Sequence, residues 1–364
     1  MPRRSVLFLT RMGELSAAAR YRATQFVPAL EEAGFRCAVR PLFPDRYLRR
    51  TYGSGSRTRA LLAMAPEIGW ALARRWLTLL REAPRYDVVH LQYEALPYLP
   101  FAFERGLFRS TRVVVDFDDA FHVGYAQHRI PAVRSLLGDK IQRVVRASRH
   151  VIVANRTLAE WAEPLNRRVS LIPNAIDLGH YPAGPRPASA DGVPTIVWIG
   201  TPVTAPYLRL VEEPLRALRA RRPFRLKVIG APDFRMEGID VVAKPWSEAT
   251  EAEELASSDV GIMPLPDDDW ARGKSALKLL QYMAAGIAAM GSAVGANCEV
   301  VAHGENGLLA RSPAEWTEGL ARLLDDPGAR ARMAAAGRAS VEEHHSLQAL
   351  APRFVQVIRG AAGP

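Results

Sequence analysis

Carboxylates and a histidine crowd the segment 116–122, which reads Asp-Phe-Asp-Asp-Ala-Phe-His after an apolar run that predicts a strand. Asp116, Asp118 and Asp119 repel one another, so they need hydrogen bonds or a cation to stay ionised. Such a cluster could bind a substrate, hold a divalent metal ion through its oxygens, or merely cap the turn after the strand. We favour a functional role, because buried strand ends seldom carry so much charge without a partner.

A second segment suited to chemistry, residues 273–286, reads Gly-Lys-Ser-Ala-Leu-Lys-Leu-Leu-Gln-Tyr-Met-Ala-Ala-Gly. Its spacing predicts a helix over 274–285. The amides and the dipole at a helix start attract anions, and Lys274 and Lys278 would add positive charge. Gln281, about two turns into the helix, could bind a ribose hydroxyl. The segment is not a Walker loop, and an ordinary amphipathic helix with solvated lysines is the alternative.

A third candidate site is the loop after the first apolar run, 5–10. Gly13 permits a close approach of the backbone to a diphosphate. From the helix predicted over 17–33, Arg20 and Arg22 could reach that phosphate or an anionic acceptor. Ordinary solvated arginines explain the pattern equally well.

The elements that must position these residues alternate between strand and helix, which is typical of a doubly wound parallel sheet. The pattern runs twice along the chain. Because ligands of such sheets bind outside the carboxyl ends of the strands, we expect the functional residues in the loops that follow them. The predicted strands are 5–10, 36–40, 88–92, 112–117, 151–154, 195–200, 224–230, 239–243, 260–264, 287–291 and 307–310.

A Pro-rich stretch in the middle of the chain sets the predicted domain boundaries. Residues 1–182 are predicted to form one domain, 183–194 a linker and 195–345 a second domain. The last segment, 346–364, is predicted to be a helix that packs back on the first domain.

The excess of positive over negative charge lies entirely in the first half of the chain. Residues 1–180 hold 28 Lys and Arg against 16 Asp and Glu, whereas residues 181–364 hold 20 against 22. An anionic or membrane partner would explain this, and so would the Arg-rich composition of a biased genome. The basic stretch 46–85, with Trp70 and Trp76 at near-helical spacing, predicts an element that meets a membrane or a lipid-linked acceptor, or a packed helix with solvated arginines.

Composition excludes several other classes of protein. The 364 residues are 48% hydrophobic and 24% charged, which rules out a wholly disordered chain. Cys37 and Cys298 are isolated, so neither a disulfide framework nor a zinc site is predicted. With no signal-peptide or membrane-spanning pattern, we expect a cytoplasmic protein, and contact with the inner face of the membrane stays open. A nucleic-acid partner is not expected, because no module for one accompanies the charge.

Four phrases stand in order along the chain: IPNAID at 172–177, KSALKLLQYMAAG at 274–286, SAVGANCE at 292–299 and HGENGLL at 303–309. Together they resemble the retaining glycosyltransferases of family 4, and the resemblance spans nearly the whole chain. It implies a GT-B fold of the α/β class, in which two Rossmann-like doubly wound domains face a central cleft. It also implies a nucleotide-sugar donor held mainly by the second domain, an acceptor held mainly by the first, and no required metal or other cofactor.

The resemblance also assigns roles to individual residues. Asp118 stands where the family has a histidine at the donor sugar, so Asp118 or Asp119 could hold sugar hydroxyls. His122 or Asp119 could contact the acceptor nucleophile. On the donor side, Thr201 would lie at the diphosphate loop. The remaining donor contacts would be Lys244 and Trp246 near the nucleobase, and Lys274, Ser275, Ala276, Leu277, Lys278 and Gln281 in the helix segment.

The chain departs from the family where two glutamates are commonly found, because those positions are Gly273 and Gln281 here. The arginine and lysine expected near Thr201 are also missing. We expect sugar transfer with retention of configuration. A non-catalytic nucleotide-sugar-binding protein and an epimerase with the GT-B fold are the alternatives.

Overall fold

The computed structural model describes residues 4–52, 63–182, 184 and 192–363. The chain divides into two compact units, Met1–Ala175 with Leu350–Pro364, and Ile176–Ala349. The first unit thus ends before the boundary predicted after residue 182. Ile176 is tied to the second unit by its amide, which donates to His345 O at 2.7 Å. Most of the predicted linker, 183–194, lies outside the described residues.

Six parallel strands form the sheet of the first unit, in the spatial order β2-β1-β3-β4-β5-β6. The order reverses between β1 and β3, which is where doubly wound sheets open a crevice at the carboxyl ends of their strands. The sequence analysis did not predict β6. The strands are β1 (Ser5–Met12), β2 (Arg36–Phe43), β3 (Val88–Gln92), β4 (Arg112–Phe117), β5 (His150–Val153) and β6 (Val169–Leu171).

Helices connect these strands as the parallel pairing requires. In the described residues of the first unit they are α1 (Ala17–Arg22), α2 (Val27–Glu32), α3 (Asp45–Tyr52), α4 (Ala65–Arg81), α5 (Arg105–Ser110), α6 (Phe121–Ala126), α7 (Pro131–Leu137), α8 (Lys140–Ala147) and α9 (Arg156–Ala162).

The second unit holds another sheet of six parallel strands, in the order β12-β11-β10-β7-β8-β9. Its order reverses between β7 and β10, so a second crevice is expected there. The strands are β7 (Thr195–Ile199), β8 (Arg225–Ile229), β9 (Val241–Lys244), β10 (Val260–Met263), β11 (Ala288–Ser292) and β12 (Leu308–Ala310). The helices are α10 (Glu212–Arg221), α11 (Glu248–Ala256), α12 (Asp269–Arg272), α13 (Leu277–Ala284), α14 (Asn297–Val300), α15 (Pro313–Asp325) and α16 (Pro327–Ser340).

The last helix, α17 (Leu347–Ala362), returns to the first unit. Its fully buried Phe354 stacks on Phe26 with ring centroids 4.2 Å apart, and on Phe8 at 6.5 Å. Arg353 donates to Leu171 O at 2.8 Å, beside the edge strand β6. The end of the chain is therefore part of the core of the first unit.

Two predicted helices begin or end elsewhere. The helix predicted over 17–33 is broken after α1, and α2 starts again with Pro28 in its first turn, where a missing amide hydrogen costs nothing. The helix predicted over 274–285 starts at Leu277, because Ala276 is left-handed, with φ 54°. The first helix ends at Ala23, whose backbone is not helical, with φ −135° and ψ −70°. Hydrophobic spacing does not report the conformation of single residues such as Ala23 and Ala276.

The hydroxyl of Tyr282 on α13 joins β7 to β10 where their pairing stops. The two strands are directly paired at only two positions, near their amino ends. Beyond these, the Tyr282 hydroxyl accepts from Ile199 N at 3.1 Å and donates to Ile262 O at 3.0 Å. Its ring lies against Gly261, where a Cβ would overlap it. A side chain thus replaces the ladder, and the strands part at the expected crevice.

Removing this hydroxyl should weaken the second unit. In Tyr282→Phe the buried amide of Ile199 and carbonyl of Ile262 lose their shared partner, which costs about 1–3 kcal/mol for each unsatisfied group. We expect a lower denaturant midpoint in urea unfolding. Tyr98→Phe is the control, because Tyr98 is 56% exposed. Equal midpoints for the two variants would contradict the bridging role.

Candidate functional site

The first candidate site lies at the carboxyl end of β4, where Asp116 is held by two cationic or polar side chains. Arg22 donates to Asp116 Oδ1 through Nε at 2.9 Å and Nη2 at 2.8 Å, and His90 Nε2 lies 3.2 Å from Oδ2. Arg22 and Asp116 are each 1% exposed. Arg22 also donates to Ile172 O at 2.7 Å. Asp116 therefore anchors α1 to the sheet.

Asp118 is buried as well, but its carboxylate has a different environment. Tyr93, at the end of β3, donates its hydroxyl to Asp118 Oδ1. Burial and then the nearby charge of Asp119 raise the pKa of Asp118 to about 7, although Arg22 opposes the shift. Tyr93 itself has φ 61°, an unfavourable conformation for an aromatic residue, and its ring stacks on Phe121 at 3.8 Å. Asp118 can therefore hold or release a proton near neutral pH.

Buried charged side chains hold the loop after β3 in place. Lys140 Nζ lies 2.6 Å from Glu94 Oε2 and donates to Leu96 O at 2.5 Å. Glu104 Oε2 accepts from the amides of Ala95 and Leu96, both at 2.9 Å. Charge-assisted hydrogen bonds of this kind make a loop rigid. The position of Tyr93, and through it that of Asp118, depends on this loop.

His122 lies in the first turn of α6, directly after the carboxylates. Its ring stacks on Trp161 with centroids 4.0 Å apart and an interplanar angle of 10°. Asp119 is partly exposed at the same strand end. Among the described residues, no group of three His, Cys, Asp or Glu side chains is placed to hold a metal ion. Asp118, Asp119 and His122 are therefore gathered at one strand end, as the sequence spacing requires.

Gly13 and Arg20 have contacts within the first unit. Gly13 is buried against Asp45 at the start of α3, where a Cβ would overlap the Asp45 carboxylate. The same carboxylate accepts from Leu15 N at 3.0 Å. Arg20 donates to Glu14 O at 3.0 Å. The close approach that Gly13 permits is thus to Asp45, and contact of either residue with a donor stays a prediction.

The second candidate site is the crevice between β7 and β10 in the other unit. Two glycines bring the loops after β7 and β8 together: a Cβ on Gly230, which has φ +91°, would overlap Gly200 O. Thr201 follows Gly200, and its amide donates to Thr204 Oγ1 at 3.3 Å. The backbone therefore turns sharply at the carboxyl end of β7, with a hydroxyl-bearing side chain on the turn.

Both lysines of the 273–286 segment lie over aromatic rings. Lys278 Nζ is 5.5 Å from the ring centroid of Trp198 on β7, and Lys274 Nζ is 5.6 Å from that of Trp270. The start of α13 has no side-chain cap, with Ala276 at the N-cap position between Ser275 and Leu277. A helix start with two adjacent cations is an environment that stabilises an anion.

Gln281 belongs to a buried polar cluster that the sequence analysis missed. Its amide Nε2 donates to Glu251 Oε1 on α11 at 2.8 Å. The hydroxyl of Tyr181 donates to the same oxygen, and Trp246 Nε1 donates to Glu251 Oε2 at 2.5 Å. Glu251 lies thirty positions before Gln281 on a different helix, so no local pattern marks it. It places a carboxylate beside the position where the family glutamate is absent.

Lys244, a predicted donor residue, and Gly273, a position where the family carboxylate is missing, both have local contacts. Lys244, at the end of β9, donates to Glu254 Oε1 at 2.5 Å. Gly273 is the C-cap of α12, with its amide donating to Trp270 O at 3.2 Å. A substrate role for Lys244 stays a prediction. Gly273 has no side chain with which to replace a carboxylate.

Comparisons with known proteins concern the family of the second unit and the fold of the chain. Residues 193–326 match the family of glycosyl transferases group 1. This matched segment contains all six strands of the second sheet and is well under half of the chain. Comparison with curated protein sequences gives no significant match.

Solved structures resemble the chain over its whole length. Sucrose-phosphate synthase from Thermosynechococcus elongatus is 17% identical, with TM-score 0.66 over 98% of this chain and 99% of that protein. A glycosyltransferase from Rickettsia africae is 11% identical, with TM-score 0.68 over 100% of both chains. Anabaena HepE, solved with UDP and glucose, is 12% identical, with TM-score 0.66 over 97% of this chain and 99% of that protein.

The chain has the GT-B fold. Two six-stranded parallel sheets with flanking helices confirm the predicted fold class. In this GT-B chain the strand-end site of the first unit is acidic, with Asp118 and Asp119. That of the second unit is cationic, with Lys274 and Lys278.

The raised pKa of Asp118 predicts a pH dependence of stability. An acid whose folded pKa lies near 7, above its ordinary value of 3.8, contributes stability at low pH that is lost as the pH rises through 7. Asp118→Asn keeps an acceptor for Tyr93 but cannot ionise. The free energy of unfolding of the variant minus that of the parent protein should therefore increase as the pH rises from 5 to 8, by about 1 kcal/mol or more. Urea unfolding at each pH measures this difference.

Asp233→Asn serves as the control, because Asp233 is exposed in the second unit. Glu104, whose pKa burial also raises to about 7, is present in both proteins and cancels from the difference. A stability difference between Asp118→Asn and the parent that does not change with pH would contradict the assignment.

Proposed function

We propose that the protein transfers a sugar from a nucleoside-diphosphate sugar to an acceptor, with retention of configuration and without a metal ion. The match of residues 193–326 to group 1 glycosyl transferases supports sugar transfer. The single observation that carries the donor site is the pair Lys274 and Lys278 at an uncapped helix start beside the β7–β10 crevice. Retention and metal independence rest on the family resemblance of the sequence phrases.

The proposed mechanism relies on positioning and charge. As the bond to the sugar breaks, negative charge develops on the leaving diphosphate, and the lysines with the amides that open α13 stabilise it. A leaving diphosphate oxygen takes the proton of the attacking hydroxyl on the same face of the sugar. Asp118 and Asp119 orient the sugar hydroxyls, and His122 contacts the acceptor nucleophile. Holding both substrates in register supplies the rest of the rate enhancement.

The donor ribose is proposed to meet Gln281. Its amide group is held by Glu251, to which Nε2 donates at 2.8 Å. Trp246, held by the same carboxylate, would lie near the nucleobase, with Lys244 two positions before it in sequence. Thr201 would donate its hydroxyl to the diphosphate.

A non-catalytic nucleotide-sugar-binding protein is the second candidate function. It is favoured by Gly273, which provides no carboxylate against the donor sugar. Such a protein would bind the donor without turning it over, whereas an epimerase would return an isomerised donor. The acceptor of a transferase is proposed to be anionic or lipid-linked, in keeping with the basic first half of the chain.

The donor proposal is tested by thermal unfolding with a panel of UDP-, GDP-, ADP- and dTDP-sugars. A donor at 100 times its Kd should stabilise the protein by about 2.7 kcal/mol, which raises the unfolding temperature by a few degrees. We expect this shift with one nucleotide class, together with slow release of free sugar. The proposal fails if no nucleotide sugar raises the unfolding temperature.

Two variants locate the donor site. Lys278→Ala should abolish most of the shift, since a charge-assisted hydrogen bond contributes about 1.5–3 kcal/mol. Arg219→Ala removes an exposed cation of the same unit and should leave the shift unchanged. If Lys278→Ala still binds the donor normally, the diphosphate does not bind at the start of α13.

We propose further that α4 contacts an anionic membrane. None of the helices in the described residues is long and apolar enough to cross a bilayer. The buried side of α4 nevertheless carries a cation, Arg75, which donates to the carbonyls of Thr10 and Arg40 at 2.8 Å. Part of its exposed side is uncharged and lies beside the exposed Arg74 and Arg81, with Trp70 67%, Trp76 45% and Leu80 52% exposed. The whole uncharged face consists of Ala65, Pro66, Gly69, Trp70, Ala73, Trp76, Leu77 and Leu80.

Charge complementarity favours a membrane as the occupant of this face. Exposed arginines lie along it, and tryptophan is the residue that settles at the boundary of headgroups and acyl chains. Glu67 and Glu82, the acidic residues of this region, are paired with Arg50 and Arg40. The exposed arginines are Arg46, Arg49 and Arg50 on α3, Arg74 and Arg81 on α4, and Arg85 after it.

Vesicle co-sedimentation tests the membrane contact. The full chain should bind phosphatidylcholine vesicles that contain about 30% phosphatidylglycerol, and Trp70→Ser with Trp76→Ser should weaken binding about 10-fold or more. Leu210→Ser, at a 47% exposed leucine of the second unit, is the control. If the tryptophan variant binds vesicles normally but changes the oligomeric state in light scattering, α4 contacts a second copy instead.

A further inference from the structure

A depression of about 490 Å³ lies at the amino edge of the first sheet. Its wall contains five arginines and no acidic residue: Arg112, Arg146, Arg149, Arg167 and Arg168. Polar side chains of Thr111, Ser148 and Asn166 complete most of the lining, with the rings and alkyl groups of Phe108, Ala147 and Leu165.

The parallel sheet explains why arginines distant in sequence meet here. Arg112 is the first residue of β4, Arg149 immediately precedes β5 and Arg168 immediately precedes β6. Arg146 comes from the last turn of α8, where a cation also stabilises the helix dipole. Because parallel strands begin at one edge, the depression lies at the opposite edge from Asp118, and it is not part of the site already described.

Among the described residues some exposed arginines of the first unit have an acidic partner and others, such as Arg46 and Arg81, have none; these five are distinguished by converging on one concavity. Arg143 pairs with Asp139 at 2.7 Å, and Arg40 pairs with Glu82 at 2.8 Å. In the part of the chain that the structure describes, none of the five arginines of the depression is within ion-pair distance of a carboxylate. Five like charges around one concavity repel one another. Burial and the charge of Arg168 both lower the pKa of neighbouring His150, as a positive field requires.

The floor of the depression is held in place by a side-chain amide. Asn166 Nδ2 donates to Val145 O at 2.8 Å and to Ser148 O at 2.9 Å, and its Oδ1 accepts from Arg168 N at 2.9 Å. The end of α8 and the start of β6 are thereby fixed relative to one another. The arginines therefore project from a preorganised backbone rather than from loose loops.

We propose that this depression binds a ligand with at least two linked phosphates. The planar guanidinium matches a phosphate in bidentate geometry, and Arg is favoured over Lys where such recognition matters. One phosphate carries a charge of about −2 and would leave most of the five positive charges uncompensated. A volume of this size admits a small-molecule ligand. A single aromatic residue in the lining provides no series of stacking platforms for bases, which disfavours nucleic acid.

The inference does not depend on the proposed transfer reaction. Isothermal titration of the full chain with sodium tripolyphosphate at low salt should give saturable binding that weakens as salt is added. Arg146→Ala with Arg149→Ala should weaken it at least about 10-fold, and so should Arg167→Ala with Arg168→Ala. All four side chains are exposed, so these variants are expected to fold, and thermal unfolding checks that they do.

Controls separate this site from the donor site. Lys278→Ala should keep tripolyphosphate binding, and the arginine variants should keep the thermal shift by nucleotide sugars. Arg219→Ala is the matched exposed arginine of the other unit. The proposal is overturned if Lys278→Ala loses tripolyphosphate binding while the arginine variants keep it. It is also overturned if the parent protein does not bind tripolyphosphate. Tighter binding of a single-stranded oligonucleotide than of tripolyphosphate overturns it as well.

Vesicle binding by the arginine variants shows whether the phosphates belong to a soluble ligand or to lipid headgroups. If the arginine variants keep normal binding to phosphatidylglycerol vesicles, the ligand is a soluble oligophosphate. If they lose vesicle binding in parallel with tripolyphosphate binding, separate lipid headgroups supply the phosphates at the same depression, and the requirement that the phosphates be linked is overturned. Equal tripolyphosphate affinity in the parent protein and both arginine variants contradicts a phosphate site of either kind.

Discussion

The crevice of the second unit exists because one hydroxyl replaces a stretch of β-ladder. Parallel strands that stay paired leave no room between them, yet strands that part expose backbone groups whose burial without a partner is costly. Tyr282 resolves this conflict by accepting from β7 and donating to β10. The same helix, α13, carries Lys278 and Gln281. One helix therefore both opens the crevice and carries its polar groups, so the position of the candidate donor site depends on how Tyr282 packs against Gly261.

The first unit meets a related constraint by burying charge. Three aspartates at one strand end cannot all ionise without compensation. Arg22 compensates Asp116 with two hydrogen bonds in the core, whereas Asp118 accepts a hydrogen bond from the neutral hydroxyl of Tyr93. The cluster is thereby divided into a structural carboxylate and one whose pKa is raised to about 7. Breaking the buried Arg22–Asp116 pair would leave an uncompensated charge, so the ionisation of Asp118 is tied to the packing of α1.

Hydrophobic spacing predicted the two alternating halves and eleven of the strands, because burial on both faces of a parallel sheet leaves a direct record in apolar runs. It missed β6, a three-residue edge strand whose residues are only half-buried. The predicted start of α13 was also wrong. The left-handed residue before the helix is Ala276 and not a glycine, so nothing in the sequence marked it. Glu251 and Arg22 act through partners 30 and 94 positions away. Long-range pairs of this kind depend on topology, which spacing along the chain does not contain.

The charge imbalance of the sequence takes a definite form once the strands are placed. Composition alone left a biased genome as a sufficient explanation for the arginines of the first half. Composition does not, however, sort residues by sheet edge. The carboxyl edge of the first sheet holds Asp116, Asp118 and Asp119, while five arginines surround one depression at the amino edge. Arginines scattered by composition alone would not be expected to converge on one concavity whose described lining holds no acidic residue. Their convergence is therefore better explained by an anionic ligand than by codon usage.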